Sequence, residues 1–69
     1  MKISARNTIK ATVKKIVPGV VNTEVTLEIA PGVEVTAVIT KSSADKLHLS
    51  LGKEAYAIIK ASDVMIGLD

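Results

Sequence analysis

Val21-Asn22-Thr23-Glu24-Val25-Thr26-Leu27-Glu28-Ile29-Ala30-Pro31-Gly32-Val33-Glu34-Val35-Thr36-Ala37-Val38-Ile39 is the stretch that decides the fold class of this chain. Val21, Thr23, Val25, Leu27 and Ile29 alternate with Asn22, Glu24, Thr26 and Glu28, the period-two pattern of a strand with one face on a core. Ala30-Pro31-Gly32 is a tight-turn signal. Beyond it, Val33, Val35, Ala37 and Ile39 alternate with Glu34, Thr36 and Val38. Two alternating runs around a short Pro-Gly turn predict a β-hairpin.

Working upstream, Ile9, Ala11 and Val13 alternate with Lys10, Thr12 and Lys14, which gives a further strand. The adjacent Lys14-Lys15 pair breaks the alternation before Ile16 and Val17 and predicts a bulge. Pro18-Gly19 then turns the chain. Downstream, the alternation is lost from Thr40 to Leu47. Ser42 as N-cap with Asp45 three residues later resembles a capping box. With Ala44, Leu47 and Leu51 as an apolar stripe, a short helix ending before Gly52 is expected. Ala55 to Ile59 reads as a strand, Lys60-Ala61-Ser62-Asp63 interrupts, and Val64 to Leu68 reads as a last short strand. The expected architecture is mainly β: one domain over residues 1–69, a small OB-like five-stranded β-barrel with one short helix.

Size and composition narrow the function. A chain of 69 residues leaves much of its surface in water even when folded. It has no Cys, so neither a disulfide framework nor a thiolate metal site is available. Apolar residues make up 48% of the chain, yet Tyr56 is the sole aromatic. So much aliphatic surface on so small a domain points to an oligomer. The net charge of +2 is a mild bias toward anions and not a polybasic signature. No apolar run reaches spanning length, and MKISARN lacks the apolar core of a secretory signal, so a cytoplasmic protein without a membrane partner is expected.

The residues offer little for catalysis. A Cys nucleophile, a nucleophile elbow and a phosphate-binding glycine loop are all missing, and no catalytic residue is assigned. The lone His48, between Leu47 and Leu49, reads as structural. Lys10, Lys14 and Lys15 form a possible phosphate stripe, but single-strand nucleic-acid binders also need aromatic platforms.

Anion binding fits better. Arg6, in Ser4-Ala5-Arg6-Asn7, offers a planar fork of donors, and Lys60, before Ala61 and Ser62, a compact ammonium. Two cations match a dianion, and the hydroxyls of Ser4, Thr40, Ser43 and Ser62 can donate to its oxygens. Backbone amides opening the helix at Ser42 to Asp45 would point the same way. The bland alternative makes these cap and turn residues, with Arg6 paired to Asp63 or Asp69. Chemistry alone specifies an oxyanion and not which one.

The opening SARN before an alternating strand, then Val-Ile-Thr-Lys-Ser-Ser, and finally Ile-Lys-Ala-Ser-Asp-Val-Met-Ile together resemble the molbindins, the Mop-family molybdate-binding proteins. The likeness runs from Ile3 to Gly67, and the chain closely resembles the clostridial single-domain members. It implies an OB-like barrel assembled as a homo-hexamer, a trimer of dimers, that binds molybdate or tungstate between subunits for molybdenum storage and homeostasis. Oxyanion-binding residues carried over are Ser4 and Arg6 from one chain, with Thr40, Ser43, Lys60 and the backbone near Ala61 from its neighbour. Ser62 adjoins them, and no side chain coordinates a metal directly. A nucleic-acid-binding small barrel and a purely structural oligomerisation module are the rival readings.

Overall fold

A computed structural model describes all of residues 1–69. Four strands, β1 (Asn7–Pro18), β2 (Asn22–Ala30), β3 (Val33–Thr40) and β4 (Glu54–Ile59), form one antiparallel sheet in the order β3-β2-β1-β4. Helix α1 (Lys41–Lys46) lies between β3 and β4, and a 3-10 turn (Ala61–Asp63) follows β4.

The hairpin forms as its alternation requires. Glu24 faces Val38, Val25 faces Ala37 and Leu27 faces Val35, and Ala30 faces Val33 across the turn. Pro31 presets φ at the first turn position, and Gly32 takes φ 76 at the second, a left-handed value that favours glycine. Thr23, Val25 and Leu27 are buried, while Val21 and Val33, expected on the same faces, are exposed at the hairpin's ends.

The strand β1 organises the sheet because it pairs on both sides. Asn7 to Thr12 pair with β4, and Thr12 to Pro18 pair with β2. Its register shifts between Val13 and Lys15, so the bulge falls at the lysine pair. The extra residue turns Lys14 and Lys15 to solvent and returns Ile16 toward the inner face. Above the β4 pairing, Val13 is held instead by the loop before β4: its N–H donates to the Lys53 carbonyl at 2.9 Å, and the Gly52 N–H donates to its carbonyl at 2.8 Å.

The core is thin. Ala11, Val13, Val25, Leu27 and Ala57 are its buried apolar members, and only 6 of 69 residues are buried. An apolar cleft of about 480 Å³ remains on the inner side, lined by residues of β2, β3 and β4 together with Leu47 and Leu49. The β3 and β4 edges have no strand partner in the chain, so the sheet is curled but unclosed.

Two expectations are corrected. The chain has four strands and not five: Val64 to Leu68 forms no strand, and Met65, Ile66 and Leu68 are each more than 90% exposed. A strand exists only through a ladder to a neighbour, and nothing within the chain supplies one. The helix is capped by Thr40 and not Ser42. Thr40 ends β3 in extended backbone (φ −68, ψ 150), which lets its hydroxyl reach the Ser43 N–H at 3.0 Å, whereas Ser42 already lies inside the first turn. As expected, the helix is short and ends before Gly52, at Lys46. His48 takes a left-handed φ of 52, and Lys53 Nζ donates to the Leu47 and His48 carbonyls at 3.1 and 3.0 Å. No helix is long and apolar enough to cross a membrane.

Candidate oxyanion site

The proposed site residues fall into two clusters. Asn7 and Ile59 face each other across the last rung of β1 and β4. Arg6 precedes one and Lys60 follows the other, so antiparallel pairing carries the two cations out of the sheet side by side. Ser4 lies just before Arg6, and Ala61 and Ser62 begin the 3-10 turn just after Lys60. All five are at the surface or close to it, with Ser4, Arg6, Lys60, Ala61 and Ser62 exposed.

This cluster carries charge without a counter-charge. The chain's ion pairs are Lys10 with Glu54 at 3.3 Å and Lys14 with Glu28 at 3.9 Å; neither Arg6 nor Lys60 takes part in one. Arg6 therefore does not pair with Asp63 or Asp69, which removes its bland explanation. The 3-10 turn also leaves donors free. Its internal bonds use the N–H groups of Asp63 and Val64, so those of Ala61 and Ser62 have no intramolecular acceptor. Two uncompensated cations and two free amides are the donor set a doubly charged tetrahedral oxyanion requires.

The second cluster is Thr40 and Ser43. Thr40 pairs with Asn22, and Thr23 beside it faces both Ile39 and Pro18, so this cluster belongs to the opposite end of β1 from Arg6. Thr40 Oγ1 accepts from the Ser43 N–H and donates to Ser43 Oγ at 2.8 Å. The cap consumes the Ser43 amide, and the Lys41 N–H goes to the Val21 carbonyl at 2.8 Å, so the helix opening has fewer free amides than expected. What it does offer is the Ser43 hydroxyl proton, which has no acceptor within the chain. No hydrogen bond or ion pair joins the two clusters. Register places Lys60 beside Arg6 at the end of the β1–β4 ladder.

One contributor escaped the sequence reading. Asn7 Nδ2 donates to the Ile59 carbonyl at 3.1 Å, across 52 residues. The lysine stripe behaves as a solvated face: Lys10 and Lys14 each meet a glutamate, which leaves Lys15 alone unpaired among the three. The chain has no group of three or more His, Cys, Asp or Glu side chains placed to hold a metal ion.

With that geometry in place, likeness to known proteins is informative. The TOBE domain family matches residues 3–66. A probable molybdenum-pterin-binding protein of Haemophilus influenzae is 45% identical over the full length of both chains. The crystal structure of MopII from Clostridium pasteurianum superposes with a TM-score of 0.89 at 43% identity, covering 97% of this chain and all of that one. The cytoplasmic molybdate-binding protein ModG, solved with molybdate bound, superposes with a TM-score of 0.93 at 45% identity. That match covers all of this chain and 49% of ModG. The chain belongs to the TOBE domain family, among the molybdenum-pterin-binding, or Mop, proteins.

Proposed function

We propose that the protein binds molybdate, and tungstate with it, as an intact oxyanion in the cytoplasm, holding it for molybdenum storage and homeostasis without transforming it. The observation that carries the reading is the pairing of Arg6 and Lys60 at one end of β1, both lacking counter-charges, beside the free amides of Ala61 and Ser62. A dianion there neutralises two charges that otherwise repel each other, and gains charge-assisted hydrogen bonds. The ligand's identity is supported by relatives that are described as binding molybdate or molybdenum-pterin. Arg6 supplies the forked donors, Lys60 the point charge, and Ser4, Ser62 and the amides neutral donors.

The site is completed between subunits of a homo-oligomer, a hexamer built as a trimer of dimers. Support comes from the lack of any hydrogen bond or ion pair between the clusters: Thr40 and Ser43 would join Ser4, Arg6, Lys60, Ala61 and Ser62 when two copies meet. The unclosed apolar cleft and the exposed Val64, Met65, Ile66 and Leu68 are surfaces that a neighbouring copy would cover. Strand pairing at the open β3 or β4 edge would complete an OB-like barrel. Bringing two halves of a site from two chains couples ligand binding to assembly.

Isothermal titration tests the reading. Molybdate should bind saturably and stoichiometrically, and both Arg6→Ala and Lys60→Ala should weaken it strongly. Parent-like binding by both variants contradicts the assignment.

A further inference from the structure

Of the five hydrogen bonds made by side chains, four link residues six or fewer apart in sequence. The fifth, Asn7 Nδ2 to the Ile59 carbonyl, ties the beginning of the fold to its end. It falls on the last rung of the β1–β4 ladder, with Arg6 one residue before it and Lys60 one residue after it. Asn7 and Ile59 are half-buried, while every donor of the adjacent cluster is exposed. The bond therefore forms the inner wall from which the exposed donors project.

We infer that Asn7 is a positioning residue for the oxyanion site: its side-chain amide fixes the exit of β4, and through it the direction of Lys60 and of the Ala61 and Ser62 amides relative to Arg6. The inference deepens the oxyanion reading above and rests on it. Beyond the last rung, no hydrogen bond or ion pair links Ser4-Ala5-Arg6 to Lys60-Ala61-Ser62. Two like charges side by side push their segments apart, and an amide that is neutral adds no charge of its own. A carboxylate in its place would repel the Ile59 carbonyl and compete with the anion for Arg6. A hydrophobic residue would leave the rung to fray.

The test uses the full chain, with molybdate as the probe. Asn7→Ala should weaken molybdate binding about tenfold, the order seen when a group that orients a ligand is removed. Its apo amide spectrum should move at Lys60, Ala61 and Ser62 and stay fixed at Thr40 and Ser43. The nearly isosteric Asn7→Asp should weaken binding further. A packing variant, Ile9→Val, supplies the control: it lowers the melting temperature through the core and should bind as the parent does. Asn7→Ala or Asn7→Asp binding like the parent overturns the inference, as does an equal loss in Ile9→Val, since Asn7 would then act only through stability. If the parent chain itself does not bind molybdate, the oxyanion reading fails and the role of Asn7 falls with it.

Discussion

The two ends of β1 are unlike in the donors they offer. At the start, Arg6 and Lys60 bring charge with no counter-charge, and the Ala61 and Ser62 amides have no acceptor. At the far end, Thr40 and Ser43 bring hydroxyls that largely satisfy each other through the cap, and Lys41 beside them likewise makes no ion pair. The start offers two cations and two free amides; the far end offers one oriented hydroxyl and a single lysine. A tetrahedral dianion is best held by both kinds of group.

Removing the charged half should therefore cost the most. Arg6→Ala and Lys60→Ala are each expected to lower molybdate affinity by about a hundredfold or more, the scale for losing one partner of a close charge pair. Titration calorimetry measures it, and a loss below fivefold in either variant would break the contrast between the ends. Deleting residues 64–69 should follow in size. Without Val64, Met65, Ile66 and Leu68 the apolar cleft loses its candidate cover. Sedimentation should show smaller species, and a deletion that sediments like the parent would remove the C-terminal segment from the interface.

Changes at the neutral end should be milder and should show in two readouts. Thr40→Val loses the cap, at about 1 kcal/mol of stability, and leaves the Ser43 hydroxyl unoriented, which should lower affinity less than either cation variant does. Chemical denaturation and titration measure the two effects separately. Away from both ends, His48→Gly should leave affinity alone and stabilise the fold by about 1 kcal/mol, because φ 52 strains a residue with a Cβ. Breaking the exposed Lys10–Glu54 pair with Lys10→Met should change stability by less than about 1 kcal/mol.

The fold was legible wherever a residue's state depends on its neighbours in sequence. The Val21 to Ile39 stretch shows its hairpin because alternation and a Pro-Gly turn are local signals. Lys14-Lys15 shows its bulge because regular alternation would turn one of two adjacent lysines toward the core. Val64 to Leu68 misleads for the opposite reason: apolar residues report a wish for burial and not where the covering strand comes from. Thr40 was passed over as a cap because it also ends a strand, and only the extended backbone there reveals the dual use.

Candidate site residues were legible one at a time, through cations lacking local counter-charges. Their grouping was not. That Arg6 and Lys60 leave the sheet from neighbouring strand ends follows from strand register. The Asn7 side-chain bond was invisible because its partner is a backbone carbonyl 52 residues away.

The central claim is that each site draws one half from each of two copies, and complementation tests it directly. One chain carries Arg6→Ala with Lys60→Ala; a second carries Thr40→Val with Ser43→Ala. Each alone should bind molybdate poorly. Refolded together in equal amounts, they should regain tight binding at about a quarter of the sites, where random assembly brings an intact half from each chain. No recovery in mixed oligomers of confirmed composition would contradict the account.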